Sequence, residues 1–215
     1  MQSILSLENK YKGRDIYVVG GGKSVDFYPK SFFDGRIVIG VNQASRVVPC
    51  NFIVRKEHAT VEGDVPVIAS KHKFGSLRMG LNGTEADPRL KTNYYFDHHD
   101  NGIAEINTEG LHPNGDKIVV SWSTITSAIH MAAFMGAKSI FLLGHDCATI
   151  DGDAVAKGYY DCVDRITPES DYGKWLSGIA PQTTFMREYL RDQYQCSLIT
   201  LSPFIGLKHE GHKID

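Results

Sequence analysis

Six short polar groups in this chain each follow directly on an apolar run: Gly20-Gly21-Gly22-Lys23-Ser24, Asn42-Gln43, Arg55-Lys56-Glu57-His58, Ser121-Trp122-Ser123-Thr124, Gly144-His145-Asp146 and Ser202. They supply glycine amides, small hydroxyl side chains, one carboxamide pair and several cations. Such groups, gathered at one edge of a sheet, suit a phosphorylated small molecule held by backbone N–H groups and a positive charge. Two residues among them can do more than bind. His145 can act as an acid or base near neutral pH, or can simply be hydrogen-bonded within a loop. Asp146 can hold Mg²⁺ on a donor diphosphate or accept from ribose hydroxyls.

Familiar phosphate motifs fit only in part. A dinucleotide fingerprint wants a third glycine where Val25 stands, and a Walker loop wants glycine at Tyr17, where the apolar run is still in progress. Gly22-Lys23-Ser24 is thus a Walker fragment without the length that wraps a phosphate, and the bland reading is a turn. Other clusters are weaker. Asp151 and Asp153 lack EF-hand spacing and read as a solvated turn. Adjacent His98 and His99, within Asp97-His98-His99-Asp100, would point to opposite faces of an extended segment rather than share a metal. His209-Glu210-Gly211-His212 lacks the i,i+4 histidine pair of a zincin, and His130 falls inside a helical pattern and reads as packed.

The elements that must position these residues are legible as apolar runs near 15–19, 36–41, 51–54, 65–69, 94–96, 117–121, 139–143 and 197–201. They are almost continuously hydrophobic and rich in β-branched residues, so both faces must be covered, as in a parallel sheet with helices on each side. Between 123 and 135 the spacing of Ile125, Ala128, Ile129, Ala132 and Ala133 predicts a helix, capped by Ser123 and ended by Gly136. A second helix is predicted over about 183–193. The expected fold is α/β, a single Rossmann-like doubly wound domain with a mostly parallel sheet and irregular loop or lid insertions at about 71–114 and 147–178. In such sheets ligands bind beyond the carboxyl ends of the strands, which is where the six polar groups lie.

Composition narrows the classes. With 215 residues, 42% hydrophobic and 22% charged, the chain is long enough for its own core and too apolar for disorder. Its 23 basic and 25 acidic residues leave a net charge of −2, which gives no field for bulk nucleic-acid binding. Cys50, Cys147, Cys162 and Cys196 form no C-x-x-C pair, so neither a zinc ribbon nor a thioredoxin-like site is present. The first fourteen residues lack a signal-peptide apolar stretch, and no run approaches the ~20 apolar residues of a membrane span. A cytoplasmic protein is the expectation.

The apolar strand, Gly20-Gly21-Gly22-Lys23-Ser24-Val25, a second strand ending Val41-Asn42-Gln43, and the stretch from Ser123 to Asp146 together resemble a group of Rossmann-like transferases. That group includes the archaeal 6-hydroxymethylpterin pyrophosphokinase (MptE-like) family and the compact bacterial sialyltransferases, and the likeness spans about Gly20 to Pro203. It implies a nucleotide or nucleotide-sugar donor, ATP in one branch and CMP-sialic acid in the other. In the sialyltransferases an asparagine in the glycine loop and another after the second strand touch donor phosphates; Gly21 and Asn42 stand there in this chain. Ser123 and Thr124 correspond to the small residues lining the nucleoside pocket, and Asp146 to the acid after the following strand. The family's tyrosine pair falls near Ala148 and Ala154 and its general-base histidine near Gly178, so Tyr159, Tyr160 or His145 would have to substitute from a shifted loop. The expectation is a nucleotide-dependent transferase with Gly20, Gly21, Gly22, Lys23, Ser24 and Asn42 at the phosphates, Ser123 and Thr124 at the nucleoside, His145 and Asp146 as catalytic candidates, and Asp146 as the magnesium candidate. The alternative is a non-catalytic nucleotide-binding or assembly protein on the same fold.

Overall fold

A computed structural model describes residues 2–55, 64–70, 92–100, 117–120, 123–160 and 171–201. The strands are β1 (Gln2–Ser3), β2 (Asp15–Val19), β3 (Ile37–Val41), β4 (Phe52–Arg55), β5 (Val67–Ser70), β6 (Tyr94–Asp100), β7 (Lys117–Val120), β8 (Ser139–Leu143) and β9 (Ser197–Thr200). Two α-helices are described, α1 (Thr124–Phe134) between β7 and β8 and α2 (Asp171–Tyr194) between β8 and β9. All described strand pairs are parallel, in the order β1-β6-β5-β4-β3-β2-β8-β9, with β7 pairing Asp97–Asp100 of β6. From β2 the chain steps outward through β3, β4, β5 and β6, then returns to place β8 on the other side of β2. Winding therefore reverses between β2 and β8, the position where open α/β sheets leave a crevice.

Alternation along each strand divides the core. Ile16 and Val18 of β2, Ile39 of β3, Phe52 and Val54 of β4, and Ile140 and Leu142 of β8 join α1 and α2 in one apolar cluster. Val19, Val38, Ile53 and Leu143, from the intervening positions, join a second cluster with Val25, Phe33, Ala44, Ala156 and Tyr159 on the opposite face. This period of two with apolar residues in both phases is why the strands read as continuous runs. The expected α/β doubly wound architecture is present, but the second face is covered differently from the first. Short 3₁₀ turns at Lys23–Phe27, Lys30–Phe33 and Ala44–Arg46, not α-helices, follow β2 and β3.

Helix α1 is buried along its whole length. Ser123 caps it by accepting from the Ile125 amide, and Gly136 at φ +88° ends it, as its sequence predicts. His130 ties three elements together, accepting the Val119 amide of β7 at Nδ1 (3.0 Å) with Nε2 2.7 Å from Tyr194 Oη of α2. An Nδ1 that accepts a backbone N–H is unprotonated, so His130 is a neutral core residue, as its position in the helical pattern suggested.

Three differences from the sequence-based expectation have local causes. Helix α2 starts at Asp171, not near Thr183, and continues through Pro181; Gly178 and Pro181 look like breakers, yet Ile179 and Ala180 are buried against Cys147 and that packing overrides propensity. Strand β6 runs on to Asp100 because β7 pairs with its second half. β1 is two residues long and gains its identity only from pairing with Tyr94 and Tyr95. The groups at 56–58, 121–122, 202 and 209–212 lie outside the described residues, as do Cys162 and most of the 71–114 insertion. No described helix is long and apolar enough to cross a membrane.

Candidate functional site

The crevice between β2 and β8 is bounded by two glycine turns that approach each other backbone to backbone. The Gly20 amide donates to Leu143 O (2.9 Å) and the Gly22 amide to Gly144 O (2.8 Å). A Cβ on Gly22 would lie 2.7 Å from Asp146 Oδ2, and one on Gly20 would lie 2.9 Å from Ile125 Cδ1. Gly144 adopts φ +62°, and a Cβ there would sit 2.8 Å from Gly20 O. The glycines are thus explained by close approach of two protein loops, the requirement that only a residue without a side chain meets.

Asp146 completes this join. Its Oδ2 accepts the Ser24 amide at 2.8 Å, and Oδ1 accepts the Ser24 hydroxyl. Ser24 is fully buried and Asp146 is 2% exposed. The sequence alone suggested that this carboxylate faces a ligand; instead it turns onto the first turn of the Lys23–Phe27 segment. Both carboxylate oxygens are thus engaged by Ser24, and among the described residues no three His, Cys, Asp or Glu side chains gather as metal ligands. Nothing among the described residues supports a magnesium centre at Asp146.

Beyond the join, the structure brings Asn42, Lys23 and the start of α1 to the same end of the sheet. Asn42 holds φ +51° at the end of β3, a left-handed conformation that asparagine tolerates, with its amide donating to Val54 O (3.1 Å). Ile125 reaches Gly20, so the α1 N-terminus, carrying Ser123 and buried Thr124, opens beside the β2 loop. Arg55 is 3% exposed at the end of β4; burial lowers its pKa to about 10, which leaves the guanidinium charged at neutral pH. Lys23 points outward to Asp153 (2.9 Å) and Asp26 (3.1 Å), partners that raise its pKa.

A strap from Ile150 to Tyr160 lies over this end of the sheet. It opens with a tight turn in which Ile150 and Asp153 exchange backbone hydrogen bonds of 2.9 Å, with Asp151 at φ +52° and Gly152 at φ +84°. Positive φ at both central residues is the type I′ geometry that Asp-Gly favours. A second turn, Tyr159 N to Ala156 O (3.1 Å) around Gly158 at φ +83°, aims Tyr159 inward. Its ring covers Gly21, where a Cβ would be 2.6 Å away, and its hydroxyl donates to Val41 O (2.6 Å). The Ala156 amide donates to Gly21 O (2.8 Å) and the Lys157 amide to the Asp26 carboxylate (3.0 Å). Outside the strap a cleft of about 280 Å³ is lined by Lys23, Asp153, Lys157, Tyr160 and the intervening backbone.

His145 stands apart from the cleft. It is 8% exposed, with Nε2 2.5 Å from Thr183 Oγ1 and 3.5 Å from Cys147 Sγ. Burial lowers its pKa to about 4 and raises that of Cys147 to about 12, so both are neutral at pH 7 and form no ion pair. Titration near neutrality, expected from an unperturbed histidine, does not occur here. The unfolded chain binds a proton near pH 6.5, so stability is fully present above that pH and falls as pH drops toward 4. His145→Gln is expected to flatten the stability–pH profile between pH 6.5 and 4, where the wild type should lose on the order of 3 kcal/mol through this group. Identical profiles in urea titrations of the two proteins would refute this assignment.

No protein-family model matches the chain, and no curated protein sequence does. Among solved structures, the sialyltransferase CstII from Campylobacter jejuni in complex with CMP-3FNeuAc is similar with 13% identity and a TM-score of 0.42, over 88% of this chain and 82% of that one. The same enzyme with CMP and a trisaccharide acceptor gives 14% and 0.39, over 90% and 86%. A mammalian sialyltransferase gives 10% and 0.41, over 87% and 69%. Similarity at this level concerns the arrangement of strands and helices and assigns no residue a role. The pterin pyrophosphokinase branch has no counterpart among these structures.

Proposed function

We propose that this chain is a transferase-like protein that binds a nucleotide or nucleotide-sugar donor at the β2–β8 switch point, with a glycosyl group as the one transferred. The observation that carries this reading is the meeting of the α1 N-terminus, Asn42 and Lys23 at one end of a parallel sheet, beside the reversal of winding where such sheets bind ligands. Ser123 and Thr124 address the nucleoside, while Asn42, Lys23 and the Gly21 segment address the phosphates. Catalysis rests on positioning and on stabilising the departing phosphate by fixed dipoles and the Lys23 charge, with no step assigned to His145 or Asp146.

A panel of nucleoside mono- and diphosphates and their sugar conjugates, screened by thermal shift, tests the reading. At a concentration ~100 times Kd, linkage adds ~2.7 kcal/mol, which for a chain of this size raises Tm by roughly 5–10 °C. No shift with any member at millimolar concentration would remove the nucleotide reading. The second reading, a non-catalytic nucleotide-binding protein, is favoured by the burial and neutrality of His145 and by the use of both Asp146 oxygens on Ser24. It is separated by donor turnover: binding without release of free nucleotide, with or without acceptor sugars, selects it.

A further inference from the structure

The strap closes the part of the sheet edge that the proposed function assigns to phosphates. Tyr159 is 3% exposed, its ring rests on Gly21, and its hydroxyl takes the carbonyl of Val41, the residue before Asn42. A phosphate cannot reach Gly21 while that ring is in place. We propose that the Ile150–Tyr160 strap is a gate that occupies its own protein's ligand site, and that an anionic ligand opens it by competing with Asp153 for Lys23. This rests on the nucleotide reading above.

The two ends of the strap differ in how firmly they are held. At the inner end Tyr159 is buried among Val19, Val25, Val38 and Ala44, the apolar cluster on the face opposite α1. At the outer end the fastening is polar and half-exposed: Lys23 to Asp153, with side chains 24% and 51% exposed, and the Lys157 amide to Asp26. Exposed ion pairs are weak and readily exchange partners. The cleft of about 280 Å³ beside them opens on Lys23 itself, so an incoming phosphate meets the lysine before it meets the glycine loop. Taking Lys23 from Asp153 frees the turn at Asp151-Gly152, and the second turn at Gly158 can then carry Tyr159 out as a unit. The strap's two built-in turns let it move as a preformed piece rather than by unravelling.

In a gated site the apparent affinity is the intrinsic affinity reduced by the open fraction, so loosening the gate tightens binding. Tyr159→Phe removes the hydroxyl that donates to Val41 O and leaves every charge unchanged; it is expected to tighten nucleotide binding about three- to tenfold. Asp153→Asn, at an exposed position that the core does not need, should tighten it about two- to fivefold. Hydrogen exchange on the ligand-free proteins should rise at residues 154–160 in both variants, and a nucleoside diphosphate should raise it in the wild type. Faster exchange in the variants with unchanged or weaker affinity for a nucleotide that the wild type binds would overturn the gate while leaving the nucleotide reading standing. If opened variants and wild type alike bind no nucleotide, the nucleotide reading fails and the gate with it.

Discussion

Gly144→Ala should be among the most damaging single substitutions in the described structure, costing about 4 kcal/mol from two sources. One is conformational, because Gly144 holds φ +62°, where a side chain crowds its own backbone. The other is steric. The new Cβ would meet Val25 and lie 2.8 Å from the carbonyl oxygen of Gly20, and a backbone oxygen inside the β2–β8 join has no direction in which to give. Equilibrium urea denaturation measures the cost directly, and a loss below about 1 kcal/mol would mean that the two loops are not packed as described.

Asp146 provides the second large effect and separates structure from chemistry. Asp146→Ala removes the carboxylate that accepts from a buried amide and a buried hydroxyl of Ser24, charge-assisted bonds worth about 1–3 kcal/mol each, so a loss of about 2–4 kcal/mol is expected. Asp146→Asn is different. Its carboxamide oxygen can accept from the Ser24 amide while its NH₂ donates to the Ser24 hydroxyl, so only the charge assistance is lost, about 1 kcal/mol. Thermal or chemical denaturation of both variants, with nucleotide affinity measured per folded molecule, decides the issue. A stable Asp146→Ala protein with abolished nucleotide binding would return this carboxylate to the ligand site.

Much of the architecture was legible without coordinates, and the reason is physical. A strand covered on both faces must carry apolar side chains in both phases of its two-residue period, so Asp15–Val19, Ile37–Val41 and Ser139–Leu143 stand out as continuous runs. Helix α1 was equally plain, because its cap at Ser123 and its stop at Gly136 are local hydrogen-bonding and dihedral requirements, settled within a few residues. The position of the polar groups at strand ends followed from the same reading. What they do at those ends did not.

Gly20, Gly21 and Gly22 look alike in the chain, yet one is excluded from bearing a side chain by a neighbouring loop, one by Tyr159 and one by Asp146. Asp146 and Ser24 are 122 residues apart, and Tyr159 and Val41 118. No periodicity or turn signal spans such distances. His145 reads as a neutral-pH acid or base until Thr183 and the buried Cys147 close around it and desolvation disfavours its charged form. The central strands, the capped helix α1, the parallel α/β class and the end of the sheet at which polar groups gather are legible in the chain because each is written in local patterns of residue type, whereas β1 and the second half of β6 exist only through their pairing. Which of those groups hold the loops together, that Pro181 lies inside a helix, and that Tyr159 covers the glycine loop follow from burial and partner choice, which are properties of segments that meet only when the sheet has formed.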